Sequence, residues 1–274
     1  MPFIQEITAK RILTPTGGFL NTFDFTLNPY EGCAFGCSYC YVRRLPIAIF
    51  RSYGHPWGRW VSVKKNAPDL LEEDGKRGKI QDARIFFSSA TDPYQPAERT
   101  YRLTRVCLDI LSRYDPQIVL LQTRSPLVER DIDILKQLGE RVIVSMTIET
   151  DDEEVRRYVT PSCPPLRKRV EAIRAIHQAG INTQVAAAPL LPCDPERLAH
   201  LLEPVCDRVV LDNFFLGDGS GGKRSVELGM EKLFARKGWE EWFSKESLSK
   251  VLPAFYKIFG ENRVGISQEG FNRV

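Results

Sequence analysis

No apolar run in this 274-residue chain approaches the ~20 residues that a membrane-spanning helix needs; Ile118 to Leu121 and Val185 to Leu191 are among the longest. The first residues, MPFIQEITAKRIL, do not read as a signal peptide either. Glu6 and Lys10 stand where an unbroken apolar core and a small-residue cleavage site would be required. The chain is therefore read as cytoplasmic, with no membrane partner. Charge of one sign is also absent: 38 basic against 35 acidic residues leave a net charge of +3, which demands no polyanionic partner but leaves room for a local basic face. Disorder is excluded by 43% hydrophobic and 27% charged residues, enough apolar material for one large core. Seven cysteines is an odd number in a chain read as intracellular, which argues against a disulfide framework and for reduced thiols or metal ligands.

What is present is an alternation. Short β-branched or aromatic runs near Phe23–Leu27, Arg84–Ser88, Gln117–Gln122, Arg141–Thr147, Thr183–Ala188 and Arg208–Asp212 are separated by helical patterns, the mark of βαβ units sharing a parallel sheet. Leu103, Val106, Cys107, Ile110 and Leu111 fall on one helical stripe, and Leu166, Val170, Ile173 and Ile176 on another. Gly139 and Gly180 stand where helix C-caps belong. A long insertion at 42–80 carries a strand candidate, Trp60–Lys64, and a charged helix around Pro68–Asp74. After Asp212 the strand signal is lost; a glycine-rich stretch gives way to helical patterns over Glu227–Arg236 and Ser244–Phe259. The expected organisation is an α/β unit over 1–215 that includes the insertion, with a loop and helical extension over 216–274 packed on it.

The densest chemistry is Gly32-Cys33-Ala34-Phe35-Gly36-Cys37-Ser38-Tyr39-Cys40-Tyr41, with cysteines spaced C-x3-C-x2-C just after the first of these strands. Thiolates are soft ligands for iron–sulfur clusters or zinc, and glycines let a tight loop bring three sulfurs together. Three ligands are one short of a closed site, so the spacing points to an open coordination position. The competing reading closes the site with a fourth thiolate. Cys107, on the helical stripe, and Cys206, beside Val205, read as small core residues. Cys163 among prolines and Cys193 past a strand end are the candidates.

This motif, with an aromatic before its last cysteine in the first βα loop of a six-unit chain, resembles the radical S-adenosylmethionine superfamily. The resemblance implies a partial (β/α)6 TIM-like barrel whose site lies at the C-terminal ends of the strands. It implies that Cys33, Cys37 and Cys40 hold a [4Fe–4S] cluster whose fourth iron binds S-adenosylmethionine, fed by a reducing donor such as a flavodoxin or ferredoxin. The reduced cluster then cleaves the cosubstrate to a 5′-deoxyadenosyl radical that abstracts hydrogen from substrate.

Cys37–Tyr41, Ser89–Glu98 and Thr123–Val128 further resemble the spore photoproduct lyase-like branch, a likeness running from about Phe25 to Asp212. By this likeness Arg124 and Ser145 contact the cosubstrate, with Ser88, Thr91, Asp92, Tyr39 and Arg169 as further candidates. Arg124 has the planar fork a carboxylate needs. Asp92 precedes a proline and reads equally as a turn starter, and Ser145, in an apolar strand, needs a partner if buried. Tyr41 and Ser89 are the catalytic candidates: in the lyase, tyrosines beside the last cysteine and a cysteine at the end of the second strand return hydrogen to the product radical. Here Ser89 holds the cysteine's place, and a serine O–H bond is too strong for that donation, so the lyase's own reaction is not expected.

Arg43, Arg44, Arg51, Arg59, Lys64 and Lys65 interleave with Phe50, Tyr53, Trp57 and Trp60 without an acidic residue, a mixture suited to nucleic acid. The substrate is left unidentified, with damaged nucleic acid as one candidate; the alternatives are a radical enzyme acting on a protein or peptide, or a non-catalytic four-thiolate iron–sulfur or zinc protein. Gly217 to Lys223 satisfies G-x4-G-K, but Arg224 replaces the Ser or Thr a phosphate loop requires, so the stretch is read as a loop over the barrel mouth.

Overall fold

The computed structural model describes residues 2–217 and 219–273. Its strands are β1 (Phe3–Ile7), β2 (Leu13–Pro15), β3 (Phe25–Leu27), β4 (Tyr30–Glu31), β5 (Trp60–Lys64), β6 (Arg84–Phe87), β7 (Ile118–Thr123), β8 (Val142–Thr147), β9 (Asn182–Ala187), β10 (Arg208–Leu211) and β11 (Val264–Ile266). The large sheet is ordered β2-β3-β6-β7-β8-β9-β10-β11 and parallel throughout, except for the antiparallel β2–β3 edge. Its two edges do not pair with each other. The sheet is therefore an open barrel, and β3 with β6 to β10 are the six parallel strands expected from the sequence.

These strands are apolar on both faces because each face meets a different core. Ile85, Val119, Val144, Val185 and Val209 point outward to the helices. Phe86, Leu120, Ala186 and Val210 point inward, where Phe23 and Phe271 fill one part of the lumen. The register pairs Phe86 with Leu120 and Ala186 with Val210, so the inward side chains form rows across neighbouring strands. The outer layer is held by the two expected stripes, with one correction: helix Leu103–Arg113 buries Cys107, Leu108, Ile110 and Leu111 while Val106, expected on the stripe, is exposed, and helix Leu166–Gln178 buries Val170, Ile173 and Ile176. The insertion carries β5 and helix Ala67–Lys76, both close to expectation.

Three features differ from the sequence reading. β1 and β4 flank β5 in a second, three-stranded sheet, with β1 exposed at its edge. Beyond Asp212 the chain returns to the barrel: β11 pairs in parallel with β10, extending the large sheet where no strand was expected. The signal is weak because Gly265 has no side chain; a Cβ there would lie 2.6 Å from the Gly270 Cα. The expected helix over Glu227–Arg236 splits into Lys223–Glu227 and Met230–Ala235 at Gly229, whose φ is +77°, and Ser244–Phe259 becomes a 3-10 turn, Lys245–Lys250, followed by helix Leu252–Phe259. Residue 218, within the stretch read as a loop over the barrel mouth, lies outside the described residues. Among the described residues no helix is long and apolar enough to cross a membrane.

Candidate metal centre

The cysteine loop leaves β4 and folds against the insertion through two glycines. Gly32 has φ +74°, and a Cβ on it would stand 2.6 Å from the Trp60 carbonyl oxygen; Gly36 has φ +55°, with the Gly58 Cα 2.9 Å from where its Cβ would be. No other residue type fits both demands. Gln95, fully buried, ties the loop to the end of β6: its Oε1 accepts from Ala34 N at 3.0 Å and its Nε2 donates to Gly32 O at 3.3 Å. On the far side Ser38 Oγ donates to Val159 O at 2.8 Å.

Cys33, Cys37 and Cys163 form one buried cluster, with Cys40, Tyr39 and Trp57 packed against it. The sulfurs of Cys37 and Cys163 are 3.6 Å apart. Burial pushes the Cys33 thiol up to about 12 and raises those of Cys37 and Cys40, with the bond to Cys163 the largest cause at Cys37. At Cys163 burial opposes ionisation, but the Cys37 thiol and the Arg124 and Arg169 guanidinium groups outweigh it and bring the thiol to about 6.

Beside the sulfurs lies a buried ionic network that the sequence did not announce. Glu149, just past the end of β8, is fully buried; its Oε1 accepts from Arg124 Nη1 at 2.7 Å and from the Tyr39 hydroxyl, and its Oε2 accepts from Arg169 Nη1 at 2.8 Å. Burial pushes this carboxyl up, but Arg124 and Arg169 hold it down at about 2. Arg124 Nη1 also reaches the Tyr39 oxygen at 3.0 Å.

A cavity of about 320 Å³ opens over the loop and the C-terminal ends of the parallel strands. Cys33, Cys37, Cys40, Tyr39, Tyr41, Ser88, Ser89, Thr91, Asp92 and Arg124 all border it, whereas Ser145 and Arg169 do not. Ser145 is buried within β8 and accepts from Gln184 Nε2 at 2.9 Å, the partner a buried hydroxyl needs. Arg169 sits behind Glu149. Several of the bordering residues besides Arg124 and Tyr39 are already engaged. Asp92 accepts from Tyr94 N, Thr123 Oγ1 and Arg124 N within 2.9 Å, the turn chemistry of Asp-Pro, and Thr91 donates to Gly32 O. Tyr41 donates to Ser89 O at 3.3 Å. Ser88, at φ +76°, has a buried hydroxyl that finds no hydrogen-bond partner among the described residues, and the same holds for the Trp57 Nε1; both residues line the cavity.

The insertion divides its aromatics. Trp60 is buried and Trp57 packs on the cysteine loop, while Phe50 is 84% exposed and Tyr53 half exposed. Its cations are largely paired with acids from elsewhere: Arg51 and Lys64 with Glu31, Arg44 with Glu227, Lys65 with Glu6. The run without acids in sequence is thus not a run without acids in space.

The family model described as the radical SAM superfamily matches residues 27–203. The chain belongs to this superfamily. An uncharacterised protein of Methanocaldococcus jannaschii is 33% identical over 69% of this chain and 68% of its own length. A radical SAM Nalpha-GlyT isomerase of Pseudomonas phage M6 is 25% identical over 86% of this chain and 46% of its own. The chain spans about half the length of that phage protein and of the Mycobacterium bovis relative it also matches. Spore photoproduct lyase complexed with dinucleoside spore photoproduct superposes with a TM-score of 0.66 at 13% identity, covering 96% of this chain and 81% of the lyase chain. This radical SAM protein therefore shares the lyase's partial barrel, and its family's cofactors are a [4Fe–4S] cluster and S-adenosylmethionine.

Proposed function

We propose that Cys33, Cys37 and Cys40 ligate the cluster, that Arg124 receives the carboxylate of S-adenosylmethionine, and that the enzyme abstracts hydrogen from a modified or damaged nucleotide held in the cavity. The observation that carries this reading is the placement of the three motif thiols, Cys33 and Cys37 buried and Cys40 partly so, around one cavity with Arg124 at the C-terminal mouth of the barrel.

The residues fit the absent groups. Thiolate sulfur is the ligand iron–sulfur clusters take; Cys33, Cys37 and Cys40 border one cavity, and among the described residues no three Cys, His, Asp or Glu side chains stand close enough together to hold a single ion. Among the described residues Arg124 spends only Nη1 on the protein, leaving Nε and Nη2 as the free edge of a fork. The partnerless Ser88 hydroxyl and Trp57 Nε1 are polar groups a ligand would satisfy. Bound there, cluster and cosubstrate supply reductive cleavage of a sulfonium C–S bond and a 5′-deoxyadenosyl radical. The protein orients and shields: Glu149 and Tyr39 fix Arg124, and Phe86, Ala186 and Phe271 give the radical's surroundings apolar walls poor in competing polar chemistry. Tyr41 borders the cavity beside Ser89 and is the group proposed to return a hydrogen atom.

The nucleotide part of the reading is supported by the dinucleoside in the name of the lyase complex, and by exposed Phe50 and Tyr53, which suit base stacking. The pairing of Arg44, Arg51, Lys64 and Lys65 favours a second reading, a peptide substrate. The test is the rate of S-adenosylmethionine cleavage by the reduced holoenzyme with ultraviolet-damaged oligonucleotide, undamaged oligonucleotide or a peptide library. Stimulation by oligonucleotide alone supports the first reading; stimulation by peptide alone replaces it with the second.

A further inference from the structure

Cys163 lies outside the C-x3-C-x2-C motif, yet it shares the packed sulfur cluster with Cys33 and Cys37. It is held there firmly. Its backbone N–H donates to Thr160 O at 3.0 Å, its carbonyl accepts from Arg156 Nη1 at 2.9 Å, and Pro164 and Pro165 follow it directly. The other candidate for a fourth thiol, Cys193, packs against the main core instead.

We propose that Cys163 is a positioning residue for the cluster: its thiol donates a hydrogen bond to the Cys37 sulfur and raises the cluster's reduction potential. This rests on the reading that Cys37 is a cluster ligand. The two sulfurs are 3.6 Å apart and buried, within reach of an S–H···S bond. In the metal-free chain the proton of this pair sits on Cys37. A sulfur bound to iron is a thiolate with no proton to give, so on ligation the bond that lowered Cys163 is lost and the proton of the pair, 3.6 Å across, is carried by Cys163. The other acceptor near its sulfur, Phe35 O, is farther away at 3.9 Å. Arg124 Nη1, 3.8 Å from the Cys163 sulfur, draws electron density from it and makes the S–H a better donor.

The direction of the effect follows from charge. An added electron places more negative charge on the ligand sulfurs, so a hydrogen bond to one of them strengthens on reduction and favours the reduced state. Nothing in the geometry requires Cys163 to bind iron itself.

The experiment compares anaerobically reconstituted wild type, Cys163→Ala, Cys163→Ser and Cys37→Ala. Iron and sulfide are counted, and the midpoint potential is then taken from a dye-mediated titration followed by electron paramagnetic resonance without S-adenosylmethionine. The expected result is full iron and sulfide in wild type and both Cys163 variants, a lower midpoint for Cys163→Ala, and recovery toward wild type in Cys163→Ser, which keeps a donor. A Cys163→Ala midpoint equal to wild type overturns the proposal. So does iron loss in both Cys163 variants, which would make Cys163 a fourth ligand, or a Cys37–Cys163 disulfide in the loaded protein. A Cys37→Ala protein that keeps its cluster and potential overturns the ligand reading itself, and is recognised separately by that variant.

Discussion

Arg124 Nη1 and Glu149 Oε1 lie 2.7 Å apart at the end of two neighbouring strands, with the carboxylate fully buried and the guanidinium 14% exposed. Arg169 closes the other side of the same carboxylate. Removing one partner from such a group leaves charge buried without compensation, which costs about 3–5 kcal/mol. Glu149→Gln is therefore expected to lower the urea midpoint sharply. Because Arg124 also loses its fixed orientation, the variant should bind S-adenosylmethionine at least about tenfold more weakly, the equivalent of ~1.4 kcal/mol. Equilibrium unfolding and isothermal titration check both; a variant as stable and as tightly binding as wild type contradicts the assigned role.

The same carboxylate sets a pH dependence. Its folded value is held near 2 against 4.5 for an unpaired glutamate, so its stabilisation is fully present above about 4.5 and is lost as pH falls toward 2. The stabilisation involved is on the order of 3 kcal/mol. Urea midpoints measured from pH 7 to pH 3 should fall with acid in wild type and fall less in Glu149→Gln.

The part of this network that faces the cavity was legible and the part that holds it was not. The six barrel strands read clearly because both faces of a parallel strand are buried, and the spacing of Cys33, Cys37 and Cys40 together with its place after a strand marked the loop that borders the cavity. Glu149 gave little signal, since an acid two residues beyond a strand end is indistinguishable in sequence from a solvated turn. The weak signal was its setting, between Ile148 and Thr150, both fully buried. Ser145 and Arg169, candidates from the resemblance, do not border the cavity: Ser145 bonds Gln184 inside β8 and Arg169 stands behind Glu149, and neither strand nor helix periodicity says whether another side chain stands in front of a residue. β1 was unread because four of its five residues are exposed and leave no alternation.

Gly36→Ala tests the loop. At φ +55° an alanine costs about 1–2 kcal/mol, and its Cβ would press on the Gly58 Cα at 2.9 Å. The expected outcome is a protein with unchanged far-ultraviolet circular dichroism that retains markedly less iron after reconstitution; full iron loading would show that the loop tolerates displacement.

The double substitution Phe50→Ala with Tyr53→Ala removes the exposed aromatics of the insertion. Stacking is worth about 1–3 kcal/mol per base, so oligonucleotide affinity should fall about fivefold or more, while cleavage of S-adenosylmethionine without oligonucleotide should not change. Because four of the insertion's cations are paired with acids, the salt dependence of binding should be shallow. Fluorescence anisotropy across a salt series measures both.

The most direct test of the account is 5′-deoxyadenosine formation by the anaerobically reconstituted, reduced protein supplied with S-adenosylmethionine, beside a Cys37→Ala control. The account predicts 5′-deoxyadenosine from the wild type and none from the variant. Equal amounts from both, or none from a wild type whose cluster is fully loaded and reduced in the presence of a substrate that it binds, would contradict it.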